Sequence, residues 1–345
     1  MNIDAVQKTL DDRREPAFRL AQAKRAFYVE LQGGWENLST FPKALREALE
    51  EQVPWDSLKA VTVQSSKRGD TDKVLFSCAD GQLIEAVLMR SRSGRNTVCV
   101  SSQAGCPMGC SFCATGAQGF KRNLTADEIV EQVIFFARRL KAEGAHVTNV
   151  VFMGMGEPFN NYDSVMQAVR MLNDPDGFGL GARHITVSTC GIVPGIKKMA
   201  DEDMQVNLAI SLHSADDRVR TQIMPVNKAY PLNALMDALD EYTAKTNRKV
   251  MFEYLLLEDV NDSDSAAHEL AELLGHNARL YQVNLIKYHD TGKFKASGQD
   301  TRDRFMQILR DRGIPVTFRV SFGEDIKAAC GQLAGLAGNK KDEEE

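Results

Sequence analysis

The chain has little of what marks a secreted, membrane-bound or repetitive protein. Its 345 residues include only 7 cysteines, an odd number that does not read as a disulfide framework. No apolar run approaches the roughly 20 residues that a membrane-spanning helix needs. The opening Met1-Asn2-Ile3-Asp4-Ala5-Val6-Gln7-Lys8 lacks the apolar core and cleavage pattern of a secretory signal. No internal repeat is present, and only the stretch 334–345 has the Gly/Lys/acidic composition expected of a disordered tail. An excess of positive charge is also missing: the formal net charge is −5. Because four of the acids are the terminal Asp342-Glu343-Glu344-Glu345, the body of the chain is nearly neutral. A nucleic-acid partner would then be held by local basic patches and not by overall charge. These absences together predict a cytoplasmic protein in a reducing compartment, with no membrane association.

What is present suits a globular fold. Hydrophobic residues make up 43% and charged residues 26%, enough for one large domain and a smaller one. Residues 1–60 read as a small helical unit, with Leu20, Ala23, Phe27 and Tyr28 at helical spacing and Pro42 opening a further helix. Residues 61–96 read as a β-rich connector. Val61, Val63, Val74, Phe76, Leu83 and Ala86 suggest strands, with turns at Lys67-Arg68-Gly69-Asp70 and Ser93-Gly94-Arg95-Asn96.

From 97 to 333, strand-like and helix-like stretches alternate. Strands are expected at 97–102, 147–153, 184–189, 206–211, 249–256 and 280–286. Helices are expected at 126–143, 163–173, 193–201, 231–247, 264–275 and 300–313. The first of these helices carries a capping box, Thr125 to Glu128, and an apolar face at Ile129, Val133, Phe136 and Leu140. Six βα units imply parallel strands, and a closed barrel needs eight. The expected fold is therefore α/β: an open, partial (β/α)6 TIM-like barrel behind a small N-terminal helical domain. Chemistry in such barrels sits on loops at the C-terminal strand ends.

One of those loops holds Cys106, Cys110 and Cys113, spaced CxxxCxxC between Gly105 and Thr115. Pro107 and Gly109 break regular structure, so the thiolates can wrap one metal centre. Thiolates suit zinc or an iron–sulfur cluster. A closed zinc site needs a fourth ligand, which a distant His or Cys would have to supply. Three thiolates alone leave one iron of a [4Fe–4S] cluster free to bind a small chelating molecule.

The spacing is similar to the signature of the radical S-adenosylmethionine (SAM) superfamily. The flanking motifs resemble the RlmN/Cfr family of RNA adenine methyltransferases. They are Cys113-Ala114-Thr115-Gly116, Gly119-Phe120-Lys121-Arg122-Asn123-Leu124, Met153-Gly154-Met155-Gly156-Glu157-Pro158 and Ala328-Ala329-Cys330-Gly331-Gln332-Leu333. The resemblance implies a [4Fe–4S] cluster on Cys106, Cys110 and Cys113, with SAM on the free iron. It implies SAM contacts from Gly156, Glu157, Ser188, Ser211, Leu212 and His213. It also implies that one SAM methylates Cys330, that the radical from a second SAM activates that methyl, and that the carbon adds to C2 or C8 of adenine. Cys99 would then attack the Cys330 sulfur and release the product, and Glu85 would accept the proton. The implied partners are RNA, namely 23S ribosomal RNA and also transfer RNA, and an electron donor such as flavodoxin or ferredoxin. A monomer is expected, and the stretch Phe18-Arg19-Leu20-Ala21-Gln22 resembles an accessory RNA-holding domain.

Two departures stand out. Where the family carries Asn, this chain has His289, in Asn284-Leu285-Ile286-Lys287-Tyr288-His289. Phe322 before Gly323 is closer to the C8-methylating branch, which leaves the methylated carbon open. Cys78 and Cys190 read as inert buried thiols, whereas Cys330, between Ala329 and Gly331, reads as a movable one. Candidate phosphate contacts are Arg90, Arg92, Arg95, Lys121, Arg122, Lys293 and Lys295. Without the resemblance, the same residues also fit another radical SAM enzyme, acting in RNA thiolation or protein activation. They fit a zinc-stabilised RNA-binding protein as well.

Overall fold

The computed structural model describes residues 1–335, so the expected tail lies outside the described residues from 336 onward. The N-terminal unit comprises α1 (Ile3–Asp12), α2 (Phe18–Lys24), a π-helical turn at Arg25–Val29, and α3 (Lys43–Gln52). Its core is aromatic, with Trp35 edge-on to Trp55 at 4.7 Å and Phe27 against Trp55 at 5.6 Å.

Four strands follow: β1 (Lys59–Ser65), β2 (Thr71–Ser77), β3 (Leu83–Arg90) and β4 (Asn96–Cys99). A hairpin of β5 (Gln103–Gly105) and β6 (Phe120–Asn123) encloses the cysteine loop and α4 (Ala114–Ala117). Then come α5 (Ala126–Ala142), β7 (Asn149–Phe152), α6 (Tyr162–Asn173), β8 (Ile185–Thr189), α7 (Val193–Ala200) and β9 (Asn207–Ser211). The rest is α8 (Asp217–Ile223), α9 (Leu232–Thr246), β10 (Val250–Leu256), α10 (Asp264–Gly275), β11 (Tyr281–Lys287), α11 (Gln299–Asp311) and β12 (Val316–Phe318).

One sheet of 10 strands runs β1-β2-β3-β4-β7-β8-β9-β10-β11-β12. Pairing is antiparallel from β1 to β4 and parallel from β4 to β12. The six expected parallel strands are all present, and β12 adds a short seventh that was not expected. It spans 3 residues after Pro315, too few to show a period, and exists because β11 offers a partner edge. The capping box forms as expected: Thr125 Oγ1 accepts the Glu128 N–H at 3.2 Å, and Glu128 accepts the Thr125 N–H at 2.9 Å. Ile129, Val133, Phe136 and Leu140 bury the predicted face of α5 against the sheet.

The antiparallel part has two unlike faces. Asp72, Val74 and Phe76 alternate with Lys73 and Leu75, and the first set packs toward α5. The second set lies on the opposite face of the pleat, together with Glu85, Val87, Met89 and Cys99, of which Val87, Met89 and Cys99 line the barrel mouth. At the edge, β1 is exposed throughout, including Val61 and Val63, so the alternation read there does not bury a face.

Candidate active site

The C-terminal ends of the parallel strands open on one cavity, whose lining comes from many separate segments of the chain. That suits a ligand larger than a single ion. Cys99 at the end of β4, the cysteine loop, Gly156 and Glu157 after β7, Ser188 in β8, Ser211 at the end of β9, His213, His289 after β11 and Cys330 all line it. Two predicted residues do not. Leu212 is fully buried, and its backbone is engaged as well: its N–H donates to the Glu253 carbonyl at 3.0 Å, and its carbonyl accepts from Arg220. Glu85 is also buried. Its carboxylate accepts the N–H groups of Ala334 at 2.6 Å and Gly335 at 3.0 Å.

The cysteine loop is pinned by its backbone. Cys106 N–H donates to the Gly119 carbonyl at 3.1 Å, and Ser111 N–H to Ile223 at 2.9 Å. Burial pushes the Cys106 thiol up to about 12. Burial raises Cys110 too, and the neighbouring Cys113 and Cys106 thiols add to the effect. Buried sulfurs of this kind become thiolates only against a strong cation. Among the described residues, no three Cys, His, Asp or Glu side chains are grouped to hold a single metal ion. A cubane carries its irons at separate corners, so three neighbouring thiols around a cavity fit it without converging on a point.

The glycines after β7 serve packing. Gly154 lies against the Val100 carbonyl, where a Cβ would come to 2.7 Å. Gly156 has φ +99° and lies against Gln103, where a Cβ would come to 2.5 Å. Glu157 accepts the N–H groups of Phe159 at 3.0 Å and Cys190 at 2.8 Å, while burial raises its carboxyl above the usual range. His213 takes a left-handed backbone, φ +58°, uncommon for a residue with a side chain. Its Nδ1 accepts the Leu255 N–H at 3.0 Å, and its ring meets Phe112 of the cysteine loop edge-to-face at 4.8 Å. Burial, with the Arg220 charge, lowers His213 to about 3, so the imidazole is neutral. His289 bonds Ser321 Oγ at 3.0 Å, and burial lowers it as well.

Cys330, expected on a movable segment, has neighbours bonded to the cysteine loop. Its neighbour Gly331 accepts the Ala114 N–H at 2.8 Å, and Leu333 accepts Thr115 Oγ1 at 2.6 Å. Cys99, which lines the same cavity, is pushed up to about 12 by burial, with Cys330 adding to the rise and Arg319 opposing it. The guanidinium of Arg319 is itself raised, first by Cys330 and then by Glu253 and Cys99. The sequence alone assigns Arg319 no role. Nor does it assign one to Glu253, buried and bonded to Asn284 at 3.0 Å, or to Arg220. Arg220 is fully buried and ties three strand-end carbonyls: Leu212 at 3.1 Å, Cys190 at 2.7 Å and Ser211 at 3.4 Å. A buried charge satisfied by loop carbonyls leaves no local pattern. Cys190, read as inert, lines the mouth, with its Sγ 3.2 Å from Met108 Sδ.

Two of the proposed phosphate contacts are already paired. Arg90 bonds Asp72 at 2.9 Å and Glu143 at 3.1 Å on the α5 side of the sheet, away from the mouth. Arg122 bridges Asp80 and Glu128. Asp80 and Glu143 lie 42 and 53 residues from the arginines they bind, which is why composition alone misreads these charges. Arg92, Arg95, Lys121, Lys293 and Lys295 are exposed.

Comparison with known proteins fits this geometry. Residues 100–271 match the radical SAM superfamily. A probable dual-specificity RNA methyltransferase RlmN of Chloroflexus aurantiacus is 48% identical, covering 97% of this chain and 91% of that protein. The ribosomal RNA large subunit methyltransferase N of Nitrosopumilus maritimus is 44% identical, covering 96% of each. A crystal structure of a radical SAM methyltransferase from Sphaerobacter thermophilus superposes with a TM-score of 0.93 at 45% identity, covering 97% of this chain and 98% of that one. Sustained over nearly the whole length, these likenesses show that the chain belongs to the RlmN/Cfr family of radical SAM RNA methyltransferases, enzymes that use a [4Fe–4S] cluster and SAM.

Proposed function

We propose that this enzyme methylates a ring carbon of adenosine in large-subunit ribosomal RNA, and in transfer RNA as a second substrate. The names of the relatives, dual-specificity and large-subunit, support both substrates. One observation carries the chemistry: Cys99 and Cys330, from opposite ends of the barrel, line one cavity with the three loop cysteines. Cys106, Cys110 and Cys113 would hold the cluster, which when bound would supply the electron for reductive cleavage of SAM to methionine and a 5′-deoxyadenosyl radical. Glu157, Ser188, Ser211, His213 and His289 orient SAM, with neutral His213 offering Nε2–H because Nδ1 is occupied.

Ring carbons C2 and C8 of adenine are poor nucleophiles, so the chain relays the methyl through Cys330. Its sulfur would take a methyl from one SAM as an S-methyl thioether. That methyl would lose one hydrogen atom to the 5′-deoxyadenosyl radical of a second SAM, and the carbon radical would add to the adenine ring carbon. The adduct would give back one electron, and the ring hydrogen would shift as a proton to the new exocyclic carbon as the sulfur leaves. Cys99 thiolate attacks the Cys330 sulfur, forming a disulfide and releasing the methylated base. An external reductant then restores both thiols. Arg319 lines the same cavity, and both thiols raise its guanidinium. We place the methyl at C2, since the relatives carry the RlmN name, and take a monomer in the cytoplasm, reduced by flavodoxin or ferredoxin.

The test is mass spectrometry of RNA treated with SAM bearing a labelled methyl. Label at C2 is expected with the wild type and none with Cys330→Ala. Label at C8 would move the assignment to the other branch, and full labelling by Cys330→Ala would end the relay.

A further inference from the structure

Strands β2 and β3 place Lys73 and Glu85 diagonally on one face of the sheet, since Lys73 pairs with Val87 and Leu75 with Glu85. The two side chains form an ion pair at 3.1 Å and are only 11% and 6% exposed. So dry a pair is costly to desolvate and is weak support for stability by itself. Its remaining bonds give it meaning, because they all reach one stretch of chain. Lys73 Nζ donates to the Lys327 carbonyl at 3.3 Å. The second oxygen of Glu85 accepts from the Ala334 and Gly335 amides. Cys330 lies between these two attachments. A cation holds a carbonyl on its N-terminal side, and an anion holds amides on its C-terminal side.

We propose that the Lys73–Glu85 pair is a two-ended clip fixing the Cys330 segment over the mouth, with Lys73 as a positioning residue for that thiol. The proposal rests on the reading of Cys330 as the methyl carrier. The bonds from Ala114 and Thr115 tie the same segment to the cysteine loop. The clip grips it from the antiparallel strands, so the sulfur is suspended between two supports. Losing the ammonium frees the Lys327 carbonyl and leaves a buried carboxylate without its counter-charge, which loosens both ends. Transfer between sulfur and carbon demands close alignment, and a displacement of about 1 Å can cost about 100-fold in rate.

The experiment compares Lys73→Met and Lys73→Arg in full-length, iron-loaded enzyme. Hydrogen exchange across 324–335 and the rate of Cys330 alkylation by iodoacetamide report the position of the segment, independent of turnover. Lys73→Met should exchange and alkylate faster, and its kcat for RNA methylation should fall by about 100-fold while KM for RNA holds. Lys73→Arg keeps charge and reach and should restore all three readings, which also separates positioning from a failure to fold. Unchanged exchange and alkylation in Lys73→Met overturn the clip. Faster alkylation with intact kcat overturns the positioning role, and Cys330→Ala made alongside then separates the failures. Methylation retained in it brings down the reading of Cys330, whereas methylation lost brings down that of Lys73 alone.

Discussion

The matched superfamily core, residues 100–271, and the segments flanking it divide the site between them. The core holds the three loop cysteines, Glu157, Ser188, Ser211 and His213, a set suited to binding a cluster and SAM. Cys99, Glu85, Lys73, His289, Arg319 and Cys330 all lie outside it. On the proposed function, the core would supply a general radical source, and the flanking residues other than His289 would commit it to one acceptor. The flanks reach the mouth because β4 continues the antiparallel strands directly into the parallel sheet, while the chain after β12 returns across the opening.

The sharpest way to break this division is to compare a core cysteine with a flanking one. Cys110→Ser should lose bound iron and acid-labile sulfide, and with them all methylation and all cleavage of SAM. Cys99→Ala should keep its iron content yet fail to release product, so a covalent protein–RNA adduct should accumulate on denaturing gels. Iron loss in Cys99→Ala would show that the two regions are not separable.

A smaller effect sharpens the core side. His213 is neutral in the fold at about 3, well below its ordinary value near 6.5. The unfolded chain therefore binds the proton first as pH falls. The contribution of His213 to stability is intact above about 6.5 and is lost progressively from there down toward about 3. His213→Gln, which keeps an acceptor for the Leu255 N–H, should lack that loss. The gap in melting temperature between it and the wild type should narrow on acidification, and a constant gap would refute the assignment.

What could be read from the sequence follows from how local each signal is. The boundaries of α5, α6, α7, α9 and α10 match within a residue or two, because periodicity and the Thr125–Glu128 cap lie inside the segment that folds. The three loop cysteines were legible for the same reason. Arg220, Arg319 and Lys73 were not, since their meaning comes from carbonyls, thiols and a carboxylate brought up by other strands. Arg90 failed in the opposite sense: it looks free in its own hexapeptide and is neutralised from α5.

The placement of Cys99 and Cys330 has one more effect. A bond between them would join the first parallel strand to the returning C-terminal segment and turn the intervening barrel into a covalent ring. By chain entropy alone, a loop of that size restrains the unfolded chain by about 5 kcal/mol. The oxidised enzyme would then melt above the reduced one, so heat resistance would report which half of the redox cycle the population occupies.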